Sequence, residues 1–598
     1  MLAQWLNRSK EMGLSYSYMV FIIMMSLLST LSEIFGLGIF IPIFQYIKTK
    51  GDLGALVGES KVWEYIISTF GVFNVEVSLP ALLLISFSFF LGRQIFSYIR
   101  VVFNAEITYK LVKKLRDKIF TDYLNSDTSF HDKTPVGNIS NTITVESSNA
   151  IISLTRPLEL ITYLIMASGY LSILFFLSWQ MTSASVFVLL FASIVPNIWI
   201  KKSAQAGRDL TKSNTTLATF LISRLKSPRL VRLAGTQIAE NNEFNKLTQK
   251  QRGNSVRAAI LLARTDVVIE PVIIGLSLVF LYVSYTYFNL NIEIIGLYLV
   301  IALRMMPVSK SIISQWQHIQ NLLGPIEMVE NRLSSMKASK EGDSGILKLN
   351  QIKQSIQFLG VSYHYPGANT NALTDVTIKI PVNSMTALVG PSGSGKSTLI
   401  DLFPILRVPT SGVVQIDSIL ISDYTLKSLR KAIAYSPQSP QIFDGTVKDH
   451  IRYGKSDATN EEVIEAAKLA GVDTFIDRLP DGYDTFLGED AVRLSGGQKQ
   501  RLDLARTLVS EPQIMIFDEP TSNLDVDSEE MFRKTIERIR RKTNTTIIIV
   551  AHRLSSIFDS DQIIVLNQGR VESTGKHIDL IQQGGWYERA WAIQDRET

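Results

Sequence analysis

The chain has 598 residues, of which 46% are hydrophobic and only 19% are charged. Its 60 basic and 55 acidic residues leave a formal charge of +5, too small an excess at this length to indicate a nucleic-acid partner. There is no cysteine, which excludes disulfides, thiolate metal sites and cysteine nucleophiles. Low charge with high apolar content argues against a disordered chain and indicates a protein that is partly membrane-embedded.

Long apolar segments fill the first half of the chain. Each is near or above the ~20 residues that a helix needs to cross a bilayer. The six candidate spans are about 17–44, 79–103, 150–178, 181–200, 259–289 and 292–313. The charged start of the chain and the length of the first apolar run are not typical of a cleaved signal peptide. We therefore predict an all-α membrane domain of six helices over residues 1–336.

The charge of the connections predicts the orientation of these helices. Basic residues concentrate after the second span, in 110–133, and after the fourth, in 201–232. The segment between the first two spans, 48–80, mixes both signs of charge. The positive-inside rule places the two basic connections in the cytoplasm, and six spans then leave both termini there.

The second half has the composition of a soluble domain. A polar segment at 337–350 predicts a linker. Beyond it, over 351–598, short β-rich runs such as 385–389 and 546–550 alternate with helical stretches such as 460–470. This alternation predicts an α/β domain with a parallel sheet covered by helices.

A phosphate-binding loop follows the first of these strands. The segment from Gly390 to Ser397 matches G-x-x-x-x-G-K-[ST] between an apolar strand and a helix that opens at Thr398. Lys396 is placed to reach the β- and γ-phosphates of ATP, and the Ser397 hydroxyl to bind Mg²⁺. The predicted nucleotide-binding residues of the loop are Gly390, Ser392, Gly393, Gly395, Lys396, Ser397 and Thr398.

A second apolar run, Ile514 to Phe517, ends in the carboxylates Asp518 and Glu519. Asp518 suits the Mg²⁺ shell, and Glu519 suits a general base that polarises the attacking water. Many buried strands end in an acidic residue, so the pattern is weak alone. It gains weight about 120 residues after a phosphate loop in the same α/β domain.

The segment Leu494-Ser495-Gly496-Gly497-Gln498 resembles the signature motif of ABC-transporter ATPases. The resemblance implies that Tyr365 stacks on adenine, that Gln438 touches Mg²⁺, and that His552 contacts the γ-phosphate. It also implies an exporter-type acid at Glu489 and a D-loop at Ser522–Asp525, with Asn523 where alanine is usual. Taken singly, these residues also fit a packed tyrosine, a loop amide and a strand-end histidine. Their order along the chain favours the family interpretation.

The same resemblance implies a second ATPase domain. In this family the signature of one ATPase domain caps the ATP that another domain's phosphate loop holds. One chain carries one such domain, and its Glu519 and signature are intact, which favours a homodimer with two working sites. The segments 130–137 and 225–237 resemble the exporter regions that couple hydrolysis to the membrane helices.

Ionisable residues inside the apolar runs bear on what is moved. Glu33, Arg93, Glu270 and Arg304 sit where a charge costs at least roughly 2.5–3.5 kcal/mol. Arg93 and Arg304 are substrate-site candidates, because they would attract an anionic headgroup such as a diphosphate. Internal pairing, for example of Glu33 with an arginine, is an equal alternative. Arg100 lies nearer a span end, where it would simply reach the interface.

Weaker resemblances concern the cargo. The segments 32–36 and 302–307 are similar to the first and sixth spans of bacterial lipid-linked oligosaccharide flippases. The chain as a whole also resembles cyanobacterial exporters of envelope polysaccharide or glycolipid. The outer segment 48–80 resembles the region of a short external helix there. The expectation is therefore a half-transporter exporter of the B-family type in the bacterial inner membrane, moving a lipid-linked oligosaccharide or glycolipid.

Other functions remain to be weighed against this one. A multidrug, lipid or peptide exporter has the same scaffold and stays an alternative. A soluble ABC ATPase of DNA repair or translation conflicts with six apolar spans. A nucleotide-gated channel without a transport cycle conflicts with an intact Glu519 and His552.

Overall fold

The computed structural model describes residues 2–59, 62–72, 74–180, 182–183, 186, 194–287, 292–488, 491, 494–521, 526–551 and 553–594. The chain divides into two compact units. The first comprises 1–126 with 130–340, and the second comprises 127–129 with 341–598.

Helices dominate the described part of the chain as far as residue 338. In chain order they are α1 Leu2–Glu11, α2 Tyr16–Gly38, α3 Phe40–Lys48, α4 Leu53–Glu59, α5 Val62–Val72, α6 Leu79–Leu124, α7 Thr128–Lys133, α8 Val136–Asn141, a π-helical turn Thr142–Glu146, α9 Ser147–Leu177, α10 Ile194–Leu225, α11 Pro228–Leu233, α12 Gln237–Tyr287, α13 Ile292–Asn321 and α14 Leu323–Ala338. At 1.5 Å per residue, the 46 residues of α6 extend ~69 Å. This length far exceeds the ~30 Å of a hydrocarbon core, so α6 projects well beyond a bilayer.

Four segments of the described chain are long and apolar enough to cross a membrane: 16–48, 79–124, 136–177 and 296–338. They confirm the first, second, third and sixth predicted spans. Half of the fourth predicted span, 181–200, falls on residues outside the described chain. The fifth, 259–289, overlaps α12 as far as Tyr287, where many side chains are not described, and its last two residues lie outside the described chain. The count of six therefore stays a prediction.

Small polar side chains hold the membrane helices together alongside apolar ones. Ser26 of α2 and Thr162 of α9 form a buried 2.9 Å hydrogen bond. Outside the spans, α4 and α5 pack on the end of α3 and the start of α6 through an apolar cluster around the fully buried Trp63. The Trp63 indole N–H donates to Gln45 Oε1 at 2.9 Å, which fixes this outer pair of helices to α3.

The second unit contains two sheets. Its strands are β1 Ser355–Tyr363, β2 Leu373–Pro381, β3 Met385–Val389, β4 Ser411–Ile416, β5 Ile419–Leu420, β6 Ile433–Ser436, β7 Ile514–Asp518, β8 Thr546–Val550, β9 Gln562–Asn567 and β10 Arg570–Gly575. One sheet is antiparallel, in the order β2-β1-β4-β5. The other has the order β10-β9-β3-β8-β7-β6 and is parallel except for β10.

Helices cover the parallel sheet. They are α15 Lys396–Asp401, α16 Leu426–Lys431, α17 Val447–Arg452, α18 Asn460–Ala470, α19 Asp473–Ile476, α20 Gly496–Leu508, α21 Val526–Lys542, α22 His577–Gln583 and α23 Trp586–Gln594. Every residue of β3 and β8 is buried, as expected for central strands covered on both faces. The carboxyl ends of β3 and β7 lie at the same edge of this sheet, and the predicted nucleotide residues follow them.

Candidate nucleotide and substrate sites

The loop between β3 and α15 is built on glycines that no other residue can replace. Gly390 has φ +147°, and a Cβ there would lie 1.9 Å from the Leu566 carbonyl oxygen. Gly395 has φ +98°, and its Cβ would lie 2.6 Å from the Ala372 carbonyl oxygen. The backbone therefore curls tightly against its neighbours, which leaves the N–H groups of the loop available to phosphate oxygens.

Lys396 lies at the start of α15, with only 5% of its surface exposed. Its ammonium donates to the carbonyl oxygens of Gly390 and Pro391, both at 2.9 Å. Burial lowers the pKa of Lys396, and the nearby Glu519 and Asp518 oppose that shift. Ser397, the next residue, is exposed. The cation is thus folded over its own loop, beside the two carboxylates that end β7.

Tyr365 is tied to the same loop. Its hydroxyl and the Thr398 hydroxyl are 3.0 Å apart. The Arg407 guanidinium lies over the Tyr365 ring, 4.8 Å from the centroid, and Asp401 holds Arg407 through a 2.9 Å ion pair. The ring is half-buried in this arrangement, so the aromatic plane has a fixed place beside the phosphate loop.

The two carboxylates occupy different environments. Burial raises the pKa of Asp518, a hydrogen bond from Tyr435 opposes the shift, and the neighbouring Glu519 adds to it. Glu519 has φ +48°, a left-handed conformation that costs a non-glycine residue about 1–3 kcal/mol. The Gln438 side-chain amide donates to Glu519 Oε2 at 2.6 Å. The structure thus brings Lys396, Gln438, Asp518 and Glu519 together. We call these four residues the nucleotide cluster.

Sequence reasoning did not find the groups that support Gln438. The Tyr435 hydroxyl donates to Asp518 Oδ2 at 3.1 Å, and its carbonyl accepts from Arg506 at 3.0 Å. Arg506 also pairs with the buried Asp503 at 2.7 Å, and the Ser436 hydroxyl donates to Asp503 at 2.9 Å. These bonds join the end of β6 to α20. The bonds from Ser436 to Asp503 and from Arg506 to Tyr435 span 67 and 71 positions of the chain, so no local pattern indicates them.

The signature residues close the start of α20. The Ser495 hydroxyl accepts from the Gln498 N–H at 3.3 Å, and the Gln498 side chain accepts from the Ser495 N–H at 2.9 Å. This capping box leaves Ser495 and Gly496 exposed at a helix N-terminus, while Gly497 is buried. A helix N-terminus of this kind favours an anion.

Three predicted site residues lie outside the described chain. They are Glu489, Asp525 and His552, and their roles stay predictions. The predicted coupling segments fall on α7 with α8 and on α11.

In the membrane unit, the substrate-site candidates pair with the same carboxylate. Glu33 is 1% exposed, with Arg93 Nε 2.9 Å from Oε2 and Arg304 Nη1 3.3 Å from Oε1. The Tyr170 hydroxyl is also hydrogen-bonded to Glu33. We call these four residues the Glu33 cluster. The internal pairing considered for Glu33 therefore exists for both arginines, yet one carboxylate balances only one of them.

The fold and the nucleotide site define a class of protein: an α/β P-loop ATPase joined to apolar membrane helices. Comparison with protein families agrees. Residues 19–308 match the family model of the ABC transporter transmembrane region, and residues 373–522 match the ABC transporter family model.

Individual relatives extend over most of the chain. An ATP-dependent lipid A-core flippase of Legionella pneumophila (strain Paris) is 31% identical and aligns with 82% of this chain and 83% of its own length. The heterocyst differentiation ATP-binding protein HepA of Nostoc sp. is 29% identical, over 82% of this chain and 81% of its own. A solved bacterial Atm1-family ABC exporter with ATP bound has a TM-score of 0.78 at 22% identity, covering 96% of this chain and 97% of that one. This chain belongs to the ABC transporter family, as a half-transporter with a membrane domain and an ATP-hydrolysing domain.

Proposed function

We propose that this protein is a flippase that uses ATP to move an amphipathic lipid with an anionic headgroup, most closely a lipid-linked oligosaccharide or glycolipid, across the bacterial inner membrane. The observation that carries the proposal is the Glu33 cluster, in which two arginines share one carboxylate within the membrane helices. The relative named as a lipid A-core flippase supports a lipid cargo.

The electrostatics of the Glu33 cluster favour an anion. A charge in hydrocarbon is costly, so a purely structural pair needs one arginine for one carboxylate. Here Arg93 and Arg304 give the cluster a formal surplus of +1. Arg304 keeps 45% of its side chain exposed, with its guanidinium 5.5 Å from the Phe90 ring centroid. A phosphate oxygen would find in Arg304 a forked donor that Glu33 does not saturate.

The nucleotide cluster would bind and hydrolyse the ATP that drives this movement. Lys396 and the loop N–H groups would hold the phosphates, with Tyr365 beside the adenine. Mg²⁺ would be held by Ser397, Asp518 and Gln438, an all-oxygen set of the kind that this cation prefers, and it would offset charge on the phosphates. Glu519 would act as the general base, with Gln438 orienting it, as the 2.6 Å contact supports.

Two copies would be needed for turnover. Ser495, Gly496, Gly497 and Gln498 would cap the nucleotide held by a second copy, with Asp525 and His552 completing each site. The exposure of Ser495 at the N-terminus of α20 supports such a role. The functional unit would be a homodimer whose ATPase domains and termini face the cytoplasm.

The test is the ATPase rate of the full chain in nanodiscs of neutral lipid, with a panel of additions. We expect selective stimulation by a polyprenyl-diphosphate glycan or an anionic glycolipid, and little by a neutral polyprenol. Arg93→Gln with Arg304→Gln should abolish the stimulation and keep the basal rate. A flat glycan response with strong stimulation by drugs or peptides would instead identify a multidrug or peptide exporter.

A further inference from the structure

A second charged cluster lies within the membrane helices, apart from Glu33. Glu159 of α9 pairs with Arg156 at 3.3 Å and accepts from the Asn104 side-chain amide of α6 at 3.4 Å. Arg156 also donates to Gln315 Oε1 of α13 at 2.9 Å. Arg100 of α6 is close enough to Glu159 for an electrostatic interaction. We call these five residues the Glu159 cluster; it joins α6, α9 and α13.

Arg100 is therefore not simply a residue that reaches for the membrane interface. It interacts electrostatically with Tyr163 and Glu159 of α9. Asn104, one helical turn further along α6, also accepts a hydrogen bond from the Tyr18 hydroxyl of α2. The four helices that carry the Glu33 cluster, α2, α6, α9 and α13, thus meet again around Glu159.

The spacing places the two clusters on one stripe of the bundle. Arg93 and Arg100 are seven residues apart on α6, and Glu159 and Tyr170 are eleven apart on α9. Both intervals return to nearly the same helix face, and they correspond to a rise of about 10 Å and about 16 Å. The Glu159 cluster lies toward the ends of α6 and α9 that lead into the basic connection between them.

The two clusters have the same charge composition. Each contains one glutamate and two arginines, and so a formal surplus of +1. In each, an arginine keeps an exposed fraction: 31% of the Arg156 side chain and 45% of that of Arg304. One unmatched cation within the membrane helices is costly, and its repetition two to three turns along the same stripe has no explanation in pairing alone.

We propose that the Glu159 cluster is a second binding site for a phosphate or diphosphate headgroup, occupied before the Glu33 cluster as the lipid crosses. This inference rests on the proposed function. Arg156 and Arg100 would bind the phosphate oxygens, and Glu159 would keep the cluster weak enough to release the headgroup to Arg93 and Arg304. The modest charge surplus of each cluster suits a ligand that must leave as well as enter.

The test uses variants that change the charge in opposite directions. Glu159→Gln keeps the shape and raises the formal surplus to +2, so the mole fraction of polyprenyl diphosphate that half-saturates ATPase stimulation should fall at least threefold. Arg156→Gln removes the surplus, and the half-saturating mole fraction should therefore rise at least threefold. The probe is polyprenyl diphosphate in nanodiscs of neutral lipid. Polyprenol, which lacks the diphosphate, and inorganic pyrophosphate, which lacks the lipid, are measured in parallel to show whether the response needs a lipid headgroup or only a free anion.

A matched control comes from the same unit. Arg8 and Glu330 form a 2.9 Å pair with exposures of 33% and 27%, close to the 31% and 29% of Arg156 and Glu159. Arg8→Gln should leave the half-saturating mole fraction unchanged. Should Arg156→Gln fold poorly, Arg100→Gln makes the same charge change from α6 and should give the same rise.

The outcomes separate the two proposals. If the wild-type protein responds to polyprenyl diphosphate no more than to polyprenol, the proposed function fails, and this inference fails with it. If the wild-type protein responds but Glu159→Gln and Arg156→Gln shift the half-saturating mole fraction in the same direction, or leave it unchanged, the Glu159 cluster is structural and only this inference is overturned.

Discussion

The nucleotide cluster and the two membrane clusters have net formal charges of opposite sign. Lys396, Asp518 and Glu519 carry a formal charge of −1, and the carboxylates there meet the neutral donors Tyr435 and Gln438. Each membrane cluster carries +1, and its carboxylate meets arginines. An acidic surplus suits a site that takes up Mg²⁺ with its nucleotide, whereas a basic surplus suits a site for an anion alone. Under the proposed function, the sign of the surplus would therefore separate the site for ATP hydrolysis from the sites for the lipid headgroup.

The largest expected effect is at Glu519, in the nucleotide cluster. Glu519→Gln removes the base and keeps the hydrogen-bonding shape, so ATP turnover should fall by about 10²- to 10⁴-fold while nucleotide binding persists. Phosphate release and binding of a fluorescent ATP analogue measure the two effects. Glu530→Gln, which opens the exposed pair with Lys534, is the control. Unchanged hydrolysis in Glu519→Gln would remove Glu519 from the catalytic role.

Loss of the Glu33 carboxylate should lower the stability of the membrane domain. Glu33→Ala leaves Arg93 and Arg304 without their shared carboxylate, which should cost about 3 kcal/mol, toward the low end for a broken buried pair because the arginines are partly exposed. Thermal unfolding in detergent should show a clearly lowered Tm. Glu330→Ala, at a partly exposed pair with Arg8, should change Tm much less. Equal Tm shifts in Glu33→Ala and Glu330→Ala would mean that Glu33 stabilises the protein no more than an ordinary partly exposed carboxylate does.

Acid should destabilise the ATPase domain through His450. Burial lowers the pKa of this histidine to about 4, with Asp503 opposing and Arg506 adding to the shift. The unfolded chain takes up its proton first, near pH 6.5, so stability present above pH 6.5 is lost as the pH falls toward 4. The loss approaches about 3 kcal/mol. Within the described part of the chain neither ring nitrogen has a hydrogen-bond partner.

The measurement is Tm against pH for the full chain and for His450→Asn. The variant should flatten the decline between pH 6.5 and 4, in the unfolding transition of the ATPase domain. A decline of the same steepness in both proteins would assign the acid sensitivity to carboxylates instead.

The smallest effect compares two helix caps of the same geometry. Ser495 caps α20 and Thr459 caps α18, each through a capping box. Replacing either by alanine should cost about 1 kcal/mol of stability. Only Ser495→Ala should also reduce ATP turnover, because only that serine belongs to the signature. Similar activity losses in both variants would make the signature serine a structural cap and nothing more.

The sequence indicated which residues meet beside the phosphate loop better than which residues meet within the membrane helices, for a physical reason. Gly390, Lys396, Asp518 and Glu519 follow strands directly, and adjacent parallel strands bring their ends together. Glu33 and Arg304 are 271 positions apart, so their pairing depends on how α2 and α13 pack. Glu159 and Arg156 lie near the start of the third predicted span, where charge is common, so the sequence does not distinguish them as a site.

Within the ATPase domain, the same limit applies to supporting contacts. Motifs identify Gln438 but not the Ser436–Asp503–Arg506 bonds behind it, which join distant segments. The left-handed backbone of Glu519 is equally invisible in a sequence, since the Glu519 N–H is bonded to the carbonyl oxygen of Val550, 31 positions further along the chain, at 3.0 Å.

The most direct test of the central claim is transport itself. Proteoliposomes carrying the full chain would receive a labelled polyprenyl-diphosphate oligosaccharide, with ATP and Mg²⁺ supplied on the ATPase side, and the label reaching the other leaflet would be measured. The account predicts ATP-dependent movement that Glu519→Gln abolishes, and no movement of a neutral polyprenol glycoside. Equal movement of the neutral lipid, or none of the diphosphate lipid alongside ATP-dependent drug export, would contradict it.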